Sequence, residues 1–382
     1  MKVLHVIGGS KYGGGAIVVS SLVLLARRLG WQVDVLATDP DVQNEVRQCG
    51  AGIVDLDVIW REIKPLHDLS GLYHLCTFLR GSDYTLVHTH TSKGGFVGRL
   101  AARLAGVELI VHTAHGFAFH EESNALALHA YAALERLAAH CCDRIFTVSS
   151  FHRTWALSLG IGSQCQVKAI PNGIPPERVV RVRPVEHTRR ELGLAPGEFT
   201  ILNTSRLARE KGATDLIEAI ALVTSRTDRA IKCVLAGEGP LKDVLKEQSR
   251  RLGLQEQVLF LGFRTDVGDL LAVSDMVVLP SLHEGLSIAL LEAMLAGKAV
   301  VATALGGTME ILRHGETGLL VPPHRPDLLA QAILALAQDH ELRARLGTQA
   351  QRAYEARYTA ECMMKQYAVE YLALCREKGV AL

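Results

Sequence analysis

The sequence predicts an α/β protein built from two doubly wound, parallel-sheet units, and three observations carry that expectation. Short β-branched runs alternate with helical stretches along most of the chain, the pattern of parallel βαβ units. The alternation halts at a proline- and arginine-rich stretch near the middle and then begins again. At 382 residues the chain is too long for one ordinary core, given roughly 150 residues per domain.

In the first half, residues 3–7 read as a strand and 16–29 as a helix ended by Gly30. A strand at 32–37, a helical segment around 69–79 and a strand at 85–88 follow. A helix over 95–104, closed by Gly106, leads to strands at 109–113 and 144–148. The second half repeats the scheme, with strands at 199–204, 232–236, 258–261, 276–279, 299–302 and 319–321. Helices at about 213–226, 240–252, 266–273 and 286–296 fall between them, and 326–378 is helical. The joint IPNGIPPERVVRVRPVEHTRR holds four prolines and the five arginines Arg178, Arg181, Arg183, Arg189 and Arg190. It reads as a solvated linker, with a phosphate or membrane contact as the other reading. The expected division is an N-terminal unit over 1–177, a linker over 178–190 and a second unit over 191–359. Ligands of open α/β sheets bind at the carboxyl ends of the strands, so glycine-rich and charged loops after strands are the candidate site.

Composition narrows the function. Nearly half the residues are apolar and 21% are charged, which allows a large core. Lys and Arg total 15 against 15 acids in residues 1–177, and 26 against 25 in the rest. That balance offers no basic stripe for nucleic acid. Eight cysteines without a C-x-x-C pair read as free thiols in a reducing compartment. MKVLHVIGGS reads as a first strand and not as a signal peptide. The apolar stretch Ala16–Ala26 is interrupted by Ser20 and Ser21 and falls short of the about 20 residues a membrane span needs. A cytoplasmic protein is expected, with peripheral contact on the inner face of the cytoplasmic membrane left open. The helix Ile17–Leu25, beside Arg27 and Arg28, is either core or a docking element.

The strongest constellation follows the strand MVVLP: Ser281-Leu282-His283-Glu284-Gly285-Leu286-Ser287, then an apolar helix containing Glu292. Gly285 permits close backbone approach to a ligand. The amides of Leu286, Ser287 and Ile288 open a helix whose dipole favours an anion. Glu292 lies roughly 9 Å further along at 1.5 Å per residue, a suitable offset for a ribose when the amides hold a diphosphate. A lone carboxylate on a helix apolar nearly all round needs a buried partner or a ligand. After the strand FTILNT, Arg206 and Lys211 stand five residues apart before a helix. Two such cations would neutralise a diphosphate leaving group.

In the first half Gly13-Gly14-Gly15 follow the first strand, but Val18 stands where a dinucleotide fingerprint needs its third glycine. These glycines instead let the loop approach a phosphate or sugar. His88, His90, His112, His115 and His120 crowd the strand ends, yet no Cys, Asp or Glu joins them at metal-ligand spacing. His115 is the functional candidate, as a donor to the sugar or an acid/base near the acceptor. His88 reads as structural. The D-x-D pairs Asp39-Pro-Asp41 and Asp55-Leu-Asp57 read as chance acidic loops.

Taken together these residues resemble the family-4 glycosyltransferases of the GT-B fold. Glu284-x7-Glu292 matches that family's E-x7-E motif. The glycine loop at Gly13–Gly15, VHTHTSKGGFVGRLAARLAGV, TAHGF, IPNGI, SRLAREKG, AGEGP, FLGFRTDV and GG-x-x-E at Gly306–Glu310 follow in order along essentially the whole chain. The resemblance implies that Arg206 and Lys211 bind the donor diphosphate, with Gly14 and Gly15 approaching it. Glu292 would hold the ribose, Glu284 the transferred sugar, and the Leu286 and Ser287 amides phosphate or sugar. His115 would sit near the sugar and acceptor, and a final helix, about 360–382, would pack back on the first domain. The implied reaction is retaining, needs no cofactor or metal, and takes a nucleotide sugar, a UDP-sugar by preference. The implied acceptor is a saccharide or polyprenyl-diphosphate-linked saccharide in cell-surface polysaccharide biosynthesis. Pro175, where IPNGI is often followed by an aspartate, departs from the pattern on the acceptor side. A nucleotide-sugar 2-epimerase of the same fold and a non-catalytic sugar-nucleotide-binding protein are the competing readings.

Overall fold

The computed structural model describes residues 1–59, 64–117 and 124–381. The chain divides into two units, Met1–Gly173 with Ala360–Leu382, and Ile174–Thr359.

The first unit carries seven strands: β1 (Lys2–Gly8), β2 (Gln32–Ala37), β3 (Gly52–Val54), β4 (Leu86–His90), β5 (Leu109–Ala114), β6 (Arg144–Thr147) and β7 (Val167–Ala169). They form one parallel sheet in the order β3-β2-β1-β4-β5-β6-β7. Val3 through Ile7 is buried without alternation, as expected of a strand covered on both faces. The helix Gly14–Arg28 is also core: of Ile17–Leu25 only Leu24 reaches the surface. That burial removes this helix as a membrane-docking element. Asp39 caps the helix Pro40–Gln48 by accepting from the Asp41 and Val42 amides, which gives the first D-x-D pair a structural job. The helix Ala360–Lys378 belongs to this unit and buries Tyr367 and Tyr371. Arg28–Glu361 and Arg144–Glu377, both at 2.5 Å, tie its two ends to the same unit.

The second unit is a six-stranded parallel sheet of β8 (Phe199–Thr204), β9 (Ile231–Ala236), β10 (Val258–Gly262), β11 (Met276–Leu279), β12 (Ala299–Thr303) and β13 (Leu319–Val321). Its order is β10-β9-β8-β11-β12-β13. The core joins β-branched residues of these strands to the apolar faces of the helices Ala213–Thr224 and Pro326–Gln338.

The expected linker over 178–190 is corrected here. The break between units falls after Gly173, and the arginine-rich segment is part of the second unit. Arg183 donates from Nε to the buried Asp269 at 2.8 Å and also pairs with Glu191 and Asp266. The amides of Val182 and Arg183 donate to the same Asp269 carboxylate at 2.8 and 3.0 Å. Only a glycine fits at 268, because a Cβ there would collide with the backbone of Val179 and Val180. A segment stitched to the helix Val267–Val273 in this way is not a solvated joint. No helix among the described residues is long and apolar enough to cross a membrane.

Candidate functional site

In the second unit the strand order reverses between β8 and β11, and a reversal of this kind leaves a crevice at the carboxyl ends of the strands. The two charged loops singled out in the sequence leave these two adjacent strands. They are packed on one another: the Leu282 and His283 amides donate to the Glu210 carbonyl at 2.8 and 3.4 Å. Gly212 has a φ of +64°, and a Cβ there would collide with the Pro280 carbonyl oxygen. Gly307 in the same way leaves room for the Gly285 carbonyl, so GG-x-x-E packs beneath the glutamate loop.

This packing brings Lys211 and Glu284 into a 2.5 Å ion pair, with both side chains largely buried. Arg206 pairs with Glu210 on its own loop and is nearly half exposed. Ser287 caps the helix Ile288–Leu295, its hydroxyl accepting the Leu290 amide at 3.3 Å. The helix therefore begins at Ile288, two residues later than expected, and the Leu286 and Ser287 amides precede it.

Glu292 is 4% exposed on that helix, and its partner is one the sequence reading assigned to a solvated joint. Arg178, on the single turn Pro176–Val179, donates to Glu292 Oε1 from Nε at 3.2 Å and from a terminal nitrogen at 2.8 Å. Burial pushes the Glu292 carboxyl above its ordinary value, and the Arg178 guanidinium pulls it back. Both bonds go to one oxygen. The pair is separated by 114 residues, so no spacing in the sequence could reveal it.

In the first unit the strand order reverses between β1 and β4. Gly13–Gly15 follow β1, and Gly14 is the first residue of the helix Gly14–Arg28. His115 lies one residue beyond β5. Gly15 and His115 are neighbours, the His115 Cδ2 standing 3.8 Å from where a Gly15 Cβ would be. Behind His115 runs a file of buried imidazoles. His90 Nδ1 is 3.1 Å from His115 Nε2, and His5 Nδ1 is 3.1 Å from His90 Nε2. His88 bonds Tyr371 at 2.6 Å and Thr113 at 2.7 Å, the structural role expected of it. His112 bonds Thr89 at 3.0 Å. His120 lies outside the described residues. His5, His88 and His90 hold ring nitrogens within 4.8 Å of one another, the spacing of a metal site. The donor set does not suit one: both His88 nitrogens already face hydroxyls, and a His5–His90 bond joins the other two rings.

Two doubly wound units, with paired loop cations and a buried acid at a switch point, define the nucleotide-binding α/β class of the GT-B glycosyltransferases. Two family models match in succession: the glycosyl transferase 4-like domain over residues 13–173 and glycosyl transferases group 1 over 184–353. The chain belongs to this glycosyltransferase family. It is 30% identical to the UDP-Gal:alpha-D-GlcNAc-diphosphoundecaprenol alpha-1,3-galactosyltransferase of Escherichia coli, with 74% of each chain covered. It is 29% identical to the D-inositol 3-phosphate glycosyltransferase of Rhodococcus erythropolis, over 95% of this chain and 88% of that one. Among solved structures, Anabaena Alr3699/HepE in complex with UDP-glucose matches with a TM-score of 0.82 and 26% identity. That match covers 98% of this chain and 100% of the other.

Proposed function

We propose that this glycosyltransferase moves a sugar, with retention, from a UDP-sugar to a hydroxyl of a lipid-linked saccharide in cell-surface polysaccharide assembly, working peripherally at the inner face of the cytoplasmic membrane. The observation that carries the donor half is the mutual packing of the Arg206–Lys211 loop and the Glu284–Glu292 segment at the second unit's switch point. Supporting it are the UDP-glucose complex of Alr3699/HepE and the UDP-galactose named for the Escherichia coli relative. The acceptor half rests on the diphosphoundecaprenol in that relative's name.

In this reading Arg206 and Lys211 hold the diphosphate, with the Leu286 and Ser287 amides and the close backbone at Gly285. Glu292 accepts from the ribose hydroxyls, and Arg178 favours its ionised form against the effect of burial. Glu284 positions the transferred sugar, while Gly14, Gly15 and His115 serve the sugar and the acceptor. Lys211 must exchange part of its bond to Glu284 for phosphate when the donor enters. Glu292 is a binding group here, so the two acids do not form the pair, about 5 Å apart, of a double displacement. The reaction is a front-face displacement: the anomeric C–O bond to the diphosphate breaks as the acceptor oxygen bonds to the same carbon. The departing diphosphate oxygen takes the acceptor's proton. Two fixed cations neutralise the leaving group without a metal.

Calorimetric titration with UDP and with a UDP-sugar tests the assignment. Lys211→Met should weaken UDP by roughly 10- to 100-fold, the range for charge-assisted bonds. Glu284→Gln should leave UDP binding intact and depress turnover of the sugar donor. Normal turnover by Glu284→Gln would remove Glu284 from the reaction.

A further inference from the structure

The file of imidazoles behind His115 has a consequence for what His115 can do. His5 on β1, His90 at the end of β4 and His115 just past β5 are linked by two nitrogen–nitrogen contacts of 3.1 Å each. His90 and His115 are stacked, with ring centres 5.3 Å apart and planes at 25°. Each contact is a hydrogen bond only if one of its two nitrogens carries a proton and the other does not. All three rings are held neutral by burial, with His115 brought down to about 4 and His5 to about 3.

Three neutral rings carry three protons. Two lie in the two contacts, which leaves one proton at an end of the file. It sits either on His5 Nε2 or on His115 Nδ1. The ends are not equivalent. His5 Nε2 is buried and has no hydrogen-bond partner among the described residues, whereas His115 is only partly buried. A buried N–H without an acceptor is among the rarest states in folded proteins.

We infer that His5 and His90 are positioning residues that fix the tautomer of His115: both bonds run outward, from His5 Nδ1–H to His90 Nε2 and from His90 Nδ1–H to His115 Nε2, so that His115 presents Nδ1–H. His115 is then a neutral hydrogen-bond donor to a substrate oxygen. It is not a general base, because its one basic nitrogen is occupied by His90. This settles between the two roles that the sequence left for His115, and it rests on the proposal that His115 meets substrate.

Nitrogen-15 NMR of the full chain with labelled histidine, at neutral pH, reads the tautomer directly. The His115 signals are identified by their loss in His115→Gln. The expected result is a protonated Nδ1 and a bare Nε2 on His115, with Nδ1 protonated on His90 and His5. A protonated Nε2 on His115 would overturn the inference. For function, the UDP-sugar is whichever of UDP-galactose, UDP-glucose and UDP-N-acetylglucosamine the wild-type chain turns over. His90→Phe keeps a ring in place and removes the donor. It should leave His115 divided between tautomers and lower kcat/KM roughly three- to tenfold, the worth of one neutral hydrogen bond. His90→Asn places an amide N–H where Nδ1–H stood and should restore both the single tautomer and the rate. A loss of rate in His90→Asn as large as in His90→Phe would mean that His90 only fills space. Should His90→Phe not fold, the wild-type spectrum and His90→Asn still decide the matter. The site assignment fails separately: unchanged transfer by His115→Ala would sink the role of His115 in the reaction and leave the tautomer result standing.

Discussion

Arg178 and Glu292 show how a single buried charge is made usable. A carboxylate 4% exposed on an apolar helix costs several kcal/mol in desolvation unless a partner reaches it, and Arg178 does so with two nitrogens. Arg178→Met leaves that carboxylate uncompensated and should destabilise the protein by about 3–5 kcal/mol when the acid is ionised. Burial already raises the folded-state value of Glu292 above 4.5, and losing the guanidinium raises it further. The folded variant therefore holds a proton that the unfolded chain has released. Stability is retained below 4.5 and falls as pH rises from there through the raised folded value. Urea midpoints from pH 4 to 8 should decline more steeply in Arg178→Met than in wild type; parallel profiles would show that Arg178 does not govern Glu292. The same variant should weaken UDP at pH 7, and 2′-deoxy-UDP should suffer less, having one ribose hydroxyl fewer to lose. The need for a partner was legible in the sequence, since Glu292 stands among apolar neighbours. The partner was not, because it arrives from 114 residues away. The histidine file escaped for the same reason: its bonds span 85 and 25 residues.

At the scale of elements, the candidate site is a product of loop-on-loop packing and not of either loop alone. The tightest contact is at Gly212, where a left-handed φ of +64° and the Pro280 carbonyl both forbid a side chain. Gly212→Ala should cost about 1–3 kcal/mol from backbone strain and drive the β8 and β11 loops apart. Thermal melting should fall, and UDP should no longer raise the melting temperature at concentrations that saturate wild type. A variant that melts lower but is stabilised by UDP as well as wild type would show that the contact is structural only. Central strands such as β8 and β11 were readable because their apolar runs are short, rich in β-branched residues and closed by loop residues. Of the three-residue edge strands, β13 was readable at Leu319–Val321, whereas β3 and β7 were missed. The arginine-rich segment was misread because prolines and charges look alike whether solvated or stitched down. What distinguishes it is Asp269, a helix residue 86 positions from Arg183.

For the molecule as a whole, the chain leaves the first unit after Gly173 and returns to it at Ala360. The returning helix is part of that unit's core. Tyr371 bonds His88 at 2.6 Å and Tyr367 bonds Thr113 at 3.0 Å, inside the ring cluster that backs the histidine file. Removing the helix would leave His88 Nδ1 buried without its partner and open apolar surface beside Phe146, whose ring centre lies 4.9 Å from that of Tyr367. A chain ended at Thr359 should therefore lose protection from hydrogen exchange in β1, β4 and β5. Protection in β8 and β11 should persist, because Arg206, Lys211, Glu284 and Glu292 all lie within Ile174–Thr359. The milder Tyr371→Phe, which removes only the hydroxyl, should cost about 1–3 kcal/mol and be felt in the first unit alone. Equal loss of protection in both sheets after truncation would show that the units do not fold independently. It would also mean that the donor groups of the second unit depend on a helix of the first.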